Sequence, residues 1–131
     1  MAFTSRVGNP TNATMLVLQW LTGFDPNVRV VTKLPTPIPA DGVVWVKSVG
    51  GFADWDEARI RVDVQVLIPG DDGATDPICA NVHIRMGQLG GQTVNGQGVH
   101  LVRCMSPFTQ HFWAEDVDRQ LATYELTLPV L

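Results

Sequence analysis

Arg59-Ile60-Arg61-Val62-Asp63-Val64-Gln65-Val66-Leu67-Ile68 is the stretch that decides the fold. Ile60, Val62, Val64, Val66 and Ile68 alternate with Arg59, Arg61, Asp63 and Gln65. Successive side chains of a strand point to opposite faces. Period two therefore sends the apolar set to a core face and the polar set toward solvent or a partner.

The pattern recurs near the C-terminus. Over Arg119–Leu128, Ala122, Tyr124, Leu126 and Leu128 oppose Thr123, Glu125 and Thr127. Between the two strands the period changes. Pro69–Gly73 reads as a turn, after which Asp76 caps a helix with Pro77 at its first position. Ile78, Val82, Met86 and Leu89 follow at helical spacing as a core stripe, and Gly90-Gly91 ends it. Gly98–Ser106 is a further strand.

Upstream, Val43–Val49 reads as a strand, and Gly50-Gly51 opens a loop holding Phe52, Asp54, Trp55, Asp56 and Glu57. Val28–Thr32 is a short β-prone run. Leu34-Pro35-Thr36-Pro37-Ile38-Pro39 places proline at alternate positions, which removes backbone donors. This segment cannot be a central strand and is expected to run along the surface. A first helix capped by Thr11 or Asn12 runs to about Thr22. Met15, Leu16, Leu18, Trp20 and Leu21 form its apolar face, and Gly23 suits the left-handed residue that ends helices. Helix, strands, helix, strands implies an α+β fold: one mostly antiparallel β-sheet with two α-helices packed on one face.

A chain of 131 residues fits a single domain spanning 1–131. Hydrophobic residues make up 45% and charged residues 17%, too apolar for disorder, and the apolar runs are too short to span a membrane. Met1–Pro10 carries no apolar signal core, which implies synthesis in the cytoplasm. Net charge is −4, and the nine Lys and Arg are scattered. Tight DNA binding needs a positive patch, so none is expected. Cys79 and Cys104 lack C-x-x-C spacing and read as two buried reduced thiols.

Catalytic and cofactor chemistry finds no constellation. His83, His100 and His111 share no metal-ligand spacing with each other or with a cysteine. His83 reads as a surface or hydrogen-bonded side chain. Asp71-Asp72-Gly73 with Asp76 lacks the alternating ligands of a calcium loop, and Gly87–Gly91 ends a helix where a phosphate site would open one. Asp54, Asp56 and Glu57 have no partnering base, so they read as solvated charge. No enzyme activity, cofactor or metal is therefore expected. Two aromatic groups stand out: Phe52 with Trp55, and Phe108 with Phe112 and Trp113. Large aromatics beside acids in loops either fold back on their own domain or anchor an interface. With Asp54 and Asp56 they are the candidate interface residues.

Val30-Val31-Thr32-Lys33-Leu34-Pro35 leads to Val44-Trp45-Val46 and Val49-Gly50-Gly51. Arg61-Val62-Asp63-Val64 and a short helix come next. The chain closes on Ser106-Pro107-Phe108, Trp113, Val117 and Arg119-Gln120-Leu121-Ala122-Thr123-Tyr124-Glu125-Leu126. From about Val28 to Leu128 this order resembles the tail terminator proteins of actinobacteriophages with long, non-contractile tails. The resemblance implies a structural virion protein of the tail and neck, assembled in the host bacterial cytoplasm. It implies a homo-oligomer, a six-fold ring, that caps the tail tube protein and stops its polymerisation. The ring would also offer the surface that joins the head through a connector or stopper protein. DNA would pass through its lumen without specific binding. The family brings no catalytic residues. Three other readings stay open: another neck ring component such as a head-completion or stopper protein, a small hydrolase or ligand-binding domain, and a monomeric bacterial protein of another role.

Overall fold

The computed structural model describes residues 10–53 and 56–129, with residues 10–12 described by their backbone alone. Helix α1 spans Pro10–Leu21, and β1 (Arg29–Val31), β2 (Val43–Ala53) and β3 (Glu57–Pro69) follow. Helix α2 spans Asp76–Gly87, a small hairpin pairs β4 (Thr93–Val94) with β5 (Gln97–Gly98), and β6 (Leu101–Gln110) and β7 (Val117–Pro129) close the chain. Five strands form one sheet in the order β1-β2-β3-β7-β6. Only β1 and β2 run parallel; β2–β3, β3–β7 and β6–β7 are antiparallel. The alternating stretch lies at the centre of this sheet, where β3 is paired with β7 along its whole length and with β2 from Ala58 to Leu67.

The core confirms the alternation. Ile60, Val62, Val64, Val66, Ala122, Tyr124, Leu126 and Leu128 are buried in one cluster with Ile78, Val82, Met86 and Leu89 of the α2 segment and with Ala13, Leu16, Val17 and Leu21 of α1. One cluster reached by both helices puts both on the same face. Burying a large aliphatic side chain contributes about 1.5–3 kcal/mol, and this row supplies the main cohesive term. A clamp joins the helices: Trp20 Nε1 donates to the Arg85 carbonyl at 2.8 Å, and the Arg85 guanidinium lies 3.7 Å from the Trp20 ring centre. Among the described residues no helix is long and apolar enough to cross a membrane.

Several boundaries differ from expectation. Helix α1 begins at Pro10, so Thr11 and Asn12 lie inside it; proline is favoured at a helix start because its missing N–H has no partner there. Its buried stripe is Ala13, Leu16, Val17 and Leu21, with Met15 41% exposed. Helix α2 is preceded by Thr75, not capped by Asp76, and it ends at Gly87 with Gln88 as C-cap, before Gly90-Gly91. Strand β6 starts later and runs further than the expected Gly98–Ser106, so Phe108 is in β6 and not in a loop.

The largest difference concerns Gly50–Glu57, expected as a loop. Strand β2 continues into it as far as Ala53, with Gly50↔Arg61, Gly51↔Ile60, Phe52↔Arg59 and Ala53↔Ala58 in register with β3. A bulge between Ser48 and Gly50 restores the pairing after Val49. Gly51 is required there: its φ is +149°, and a Cβ would collide with the Arg59 carbonyl. The two glycines thus permit a bulged hairpin arm and do not end the strand. The proline segment is irregular, half-buried to exposed, and links the parallel strands β1 and β2 along the surface, as expected.

Candidate interaction surface

The sheet face turned away from the helices carries Trp45 and Lys47 of β2, Arg59, Arg61, Asp63 and Gln65 of β3, and Arg119, Thr123 and Glu125 of β7. The alternation predicts a polar face turned toward solvent or a partner. It is polar, but its centre is bonded to itself. Arg61 Nε donates to Glu125 at 3.3 Å, Thr123 Oγ1 donates to Asp63 at 2.7 Å, and Arg119 Nε donates to Gln65 at 2.9 Å. Gln65 and Glu125 are buried. The cations Lys47, Arg59, Arg61 and Arg103 stay exposed, so this face presents basic heads over sunken acids.

Trp113 folds back onto that face. Its ring meets Trp45 edge-on at 6.4 Å between centres, and the Arg119 guanidinium sits 5.1 Å from it. Trp45 is fixed in turn by its Nε1 donating to the Thr32 carbonyl at 3.2 Å. The segment from 111 to 116 is tied at both ends: His111 N donates to the Arg119 carbonyl, and Gly70 N donates to the Asp116 carbonyl. Between these ties Phe112 is left 82% exposed. It borders a recess of about 660 Å³ that also involves Asp71, Asp72, Glu115 and Asp116. All four acids are exposed.

The candidate residues therefore separate. Phe108 is half-buried against the core, and Trp113 is held by Trp45 and Arg119. Phe112 projects. Phe52 is 59% exposed on the bulged arm of β2, with the Arg59 guanidinium 6.0 Å from its ring. It lines a second recess of about 230 Å³ with Gly51, Arg59, Arg61 and Glu125. Asp56 is exposed in the β2–β3 connection. Asp54 and Trp55 lie outside the described residues. Phe52 and Phe112 sit toward opposite ends of the sheet, because Arg61 pairs with Glu125 while Pro69 pairs with Val117.

A buried polar cluster locks the end of the sheet nearest Phe112. Asp118 Oδ2 accepts from the Thr75 amide at 2.8 Å and the Thr75 hydroxyl at 2.6 Å. Gln120 Nε2 donates to Thr75 Oγ1 at 2.9 Å and to Asp76 Oδ1 at 2.6 Å. Among the described residues Asp118 Oδ1 has no partner at hydrogen-bond geometry; the Gln110 side chain and Gly73 amide supply only weaker attraction. Burial pushes the Asp118 carboxyl up, but the bonds from Thr75, helped by Gln110 and Gly73, outweigh it and hold the group below its ordinary value. Thr75, at the position before α2, thus turns its side chain to the sheet and makes no side-chain cap bond to the helix.

His83 Nδ1 lies 2.9 Å from the Tyr124 hydroxyl, the hydrogen-bonded placement expected of it. Burial pushes the Cys79 thiol up to about 12. Cys104, expected buried, is exposed on β6, an edge strand of the sheet. Among the described residues no three His, Cys, Asp or Glu side chains gather as a metal site.

No protein-family model matches the chain, and no curated protein sequence does. Solved structures do match. One chain of the virion of a native gene transfer agent particle superposes with a TM-score of 0.62 at 11% identity, covering 88% of this chain and 93% of that one. A second solved chain superposes with a TM-score of 0.58 at 13% identity, covering 92% and 94%. At these identities the likeness defines the fold: an α+β sheet with both helices on one face.

Proposed function

We propose that the chain is a structural, non-enzymatic assembly protein of a tailed phage particle: a tail terminator that forms a six-fold ring on the end of the tail tube. In this role the ring stops tube polymerisation and offers the head–tail connector or stopper protein a joining surface, with DNA passing through the lumen.

One observation carries the reading. The fold superposes over nearly its whole length on a chain of a gene transfer agent virion, with little left over on either side. The order of sequence words from Val28 to Leu128 points to the same kind of particle. The surface supports it as well, since Phe112 and Phe52 project from braced backbone on separate ends of the sheet. A ring is a closed head-to-tail interface and needs two different patches per copy.

An early stop codon in the gene, in phage grown on a non-suppressing host and viewed by electron microscopy, tests the role. Overgrown or unjoined tubes beside DNA-filled heads are expected. Normal tailed, infectious particles would refute it. Emptied heads beside normal capped tails would transfer the chain to the stopper role.

A further inference from the structure

We propose that the Phe112 corner of one copy docks into the Phe52–Arg61 recess of the next copy, forming the head-to-tail contact of the assembly. This rests on the ring reading and adds the surfaces that close it.

The corner has three features of a docking knob. Phe112 is 82% exposed although the backbone on both sides is tied down, by His111 to Arg119 and by Asp116 to Gly70. Trp113 is pinned against Trp45, so the segment cannot turn Phe112 inward without releasing that contact. A large aromatic held in water by rigid backbone is the form of an interface anchor. Around it stand four exposed acids, Asp71, Asp72, Glu115 and Asp116. The cation nearest this corner, Arg119, already faces Trp113 and Gln65.

The recess offers the complement. It measures about 230 Å³ and has Phe52, Gly51 and Val49 as apolar wall. Arg59 and Arg61 are exposed at its rim. Their acidic partners do not cancel them outward: Glu125 is buried beneath Arg61, and Glu57 is half-buried beside Arg59. Arg61 uses only its Nε among the described residues, at 3.3 Å from Glu125. Asp56, in the hairpin connection, does not line the recess. Phe112 can enter against Phe52 while the acids meet the guanidinium groups.

Placement favours a second copy over a different protein. From Arg61 to Pro69 the strand advances eight residues, about 26 Å at roughly 3.3 Å each. Knob and recess are therefore at separate ends of one sheet. Each copy can hold one neighbour with each end, as a heterologous contact requires.

The test is charge reversal, read by sedimentation velocity over a concentration series at low and high salt. Arg59→Glu alone, and Asp72→Arg with Glu115→Arg alone, should each weaken self-association by about tenfold or more, while the chain carrying all three recovers it. Phe112→Ala should weaken it about thirty-fold at any salt. All variants should melt with the parent, since the changed residues are exposed. Parent-like assembly by both one-sided reversals and by Phe112→Ala overturns this contact and leaves the ring reading standing on another surface. A parent chain that stays monomeric at every concentration overturns both. An Arg59→Glu chain that assembles normally but loses binding to single-stranded DNA would assign the recess to nucleic acid and overturn the contact.

Discussion

Val62 and Val64 are completely buried under the two helices, while Arg61, their neighbour on β3, keeps its guanidinium in water. The two faces of the sheet are made by alternate residues of the same strands, yet they reach stability by different routes. On the helix face, apolar side chains leave water together, and each depends on the shape of the others. On the outer face, side chains satisfy one another pairwise, through Arg61–Glu125, Thr123–Asp63 and Arg119–Gln65. The first face cannot change without loss of the fold. The second can exchange partners at its rim for those of another molecule, because an exposed pair such as Arg59–Glu57 contributes only about 0–1 kcal/mol. The proposed docking on the outer face and folding on the inner one divide along that inequality.

Substitutions that separate the faces should show it. The largest effect is expected from Val64→Asp, which buries an unpaired charge at the centre of the core. The chain should fail to fold, read as loss of cooperative thermal unfolding; soluble protein with the parent's Tm would break the comparison at its strongest point. Next comes Asp118→Asn, where a carboxylate that accepts two bonds from Thr75 becomes a poorer acceptor. A loss of about 1.5–3 kcal/mol is expected by urea denaturation.

The same group sets a pH dependence. The folded value of Asp118 lies below its unfolded value, so its contribution is complete at neutral pH. It is lost as the pH falls below about 4 and through the folded value. In Asp118→Asn that part of the acid loss should disappear; parallel acid-unfolding curves for variant and parent would contradict the assignment.

A smaller effect is expected on the outer face. Trp113→Ala removes the edge contact with Trp45 and the stacked Arg119, for about 0.5–1.5 kcal/mol of stability. The fold should survive while self-association weakens, because Phe112 loses its brace. A variant that unfolds outright would show Trp113 to belong to the core. Smallest of all is Cys104→Ser, within about 0.5 kcal/mol. The accompanying check is thiol labelling: Cys104 should react in the native state, and Cys79, buried with its thiol pushed up to about 12, only on unfolding.

The inner face was legible in the sequence because it is periodic. Ile60 to Val66, Ala122 to Leu128 and the Ile78–Leu89 stripe reveal their partners by spacing alone, and all meet in one core. The interaction surface was less so. Phe112 and Phe52 stood out as aromatics among acids, but Phe108 and Trp113 looked equivalent to them. Only the tertiary positions of the core, Trp45 and Arg119 draw those two in. The glycines at 50 and 51 suggested a loop because a bulge and a turn use the same residue, and cross-strand register decides between them. The Thr75–Asp118–Gln120 cluster left no local signal, since Thr75 is more than 40 residues from Asp118 and Gln120 and meets them only in the folded sheet. Strand parity carries one hint: Gln120 and Asp118 share the inward set with Ala122 and Tyr124, an odd place for polar groups unless they bond to each other.

The most direct measurement of the proposed role is tube length when the purified protein is added to polymerising tail tube protein, followed by electron microscopy of the ends. Short tubes should result, their length falling as the protein-to-tube ratio rises, each stopped end bearing one ring of six copies. An unchanged length distribution with bare ends, at concentrations where the protein is folded, would contradict the account.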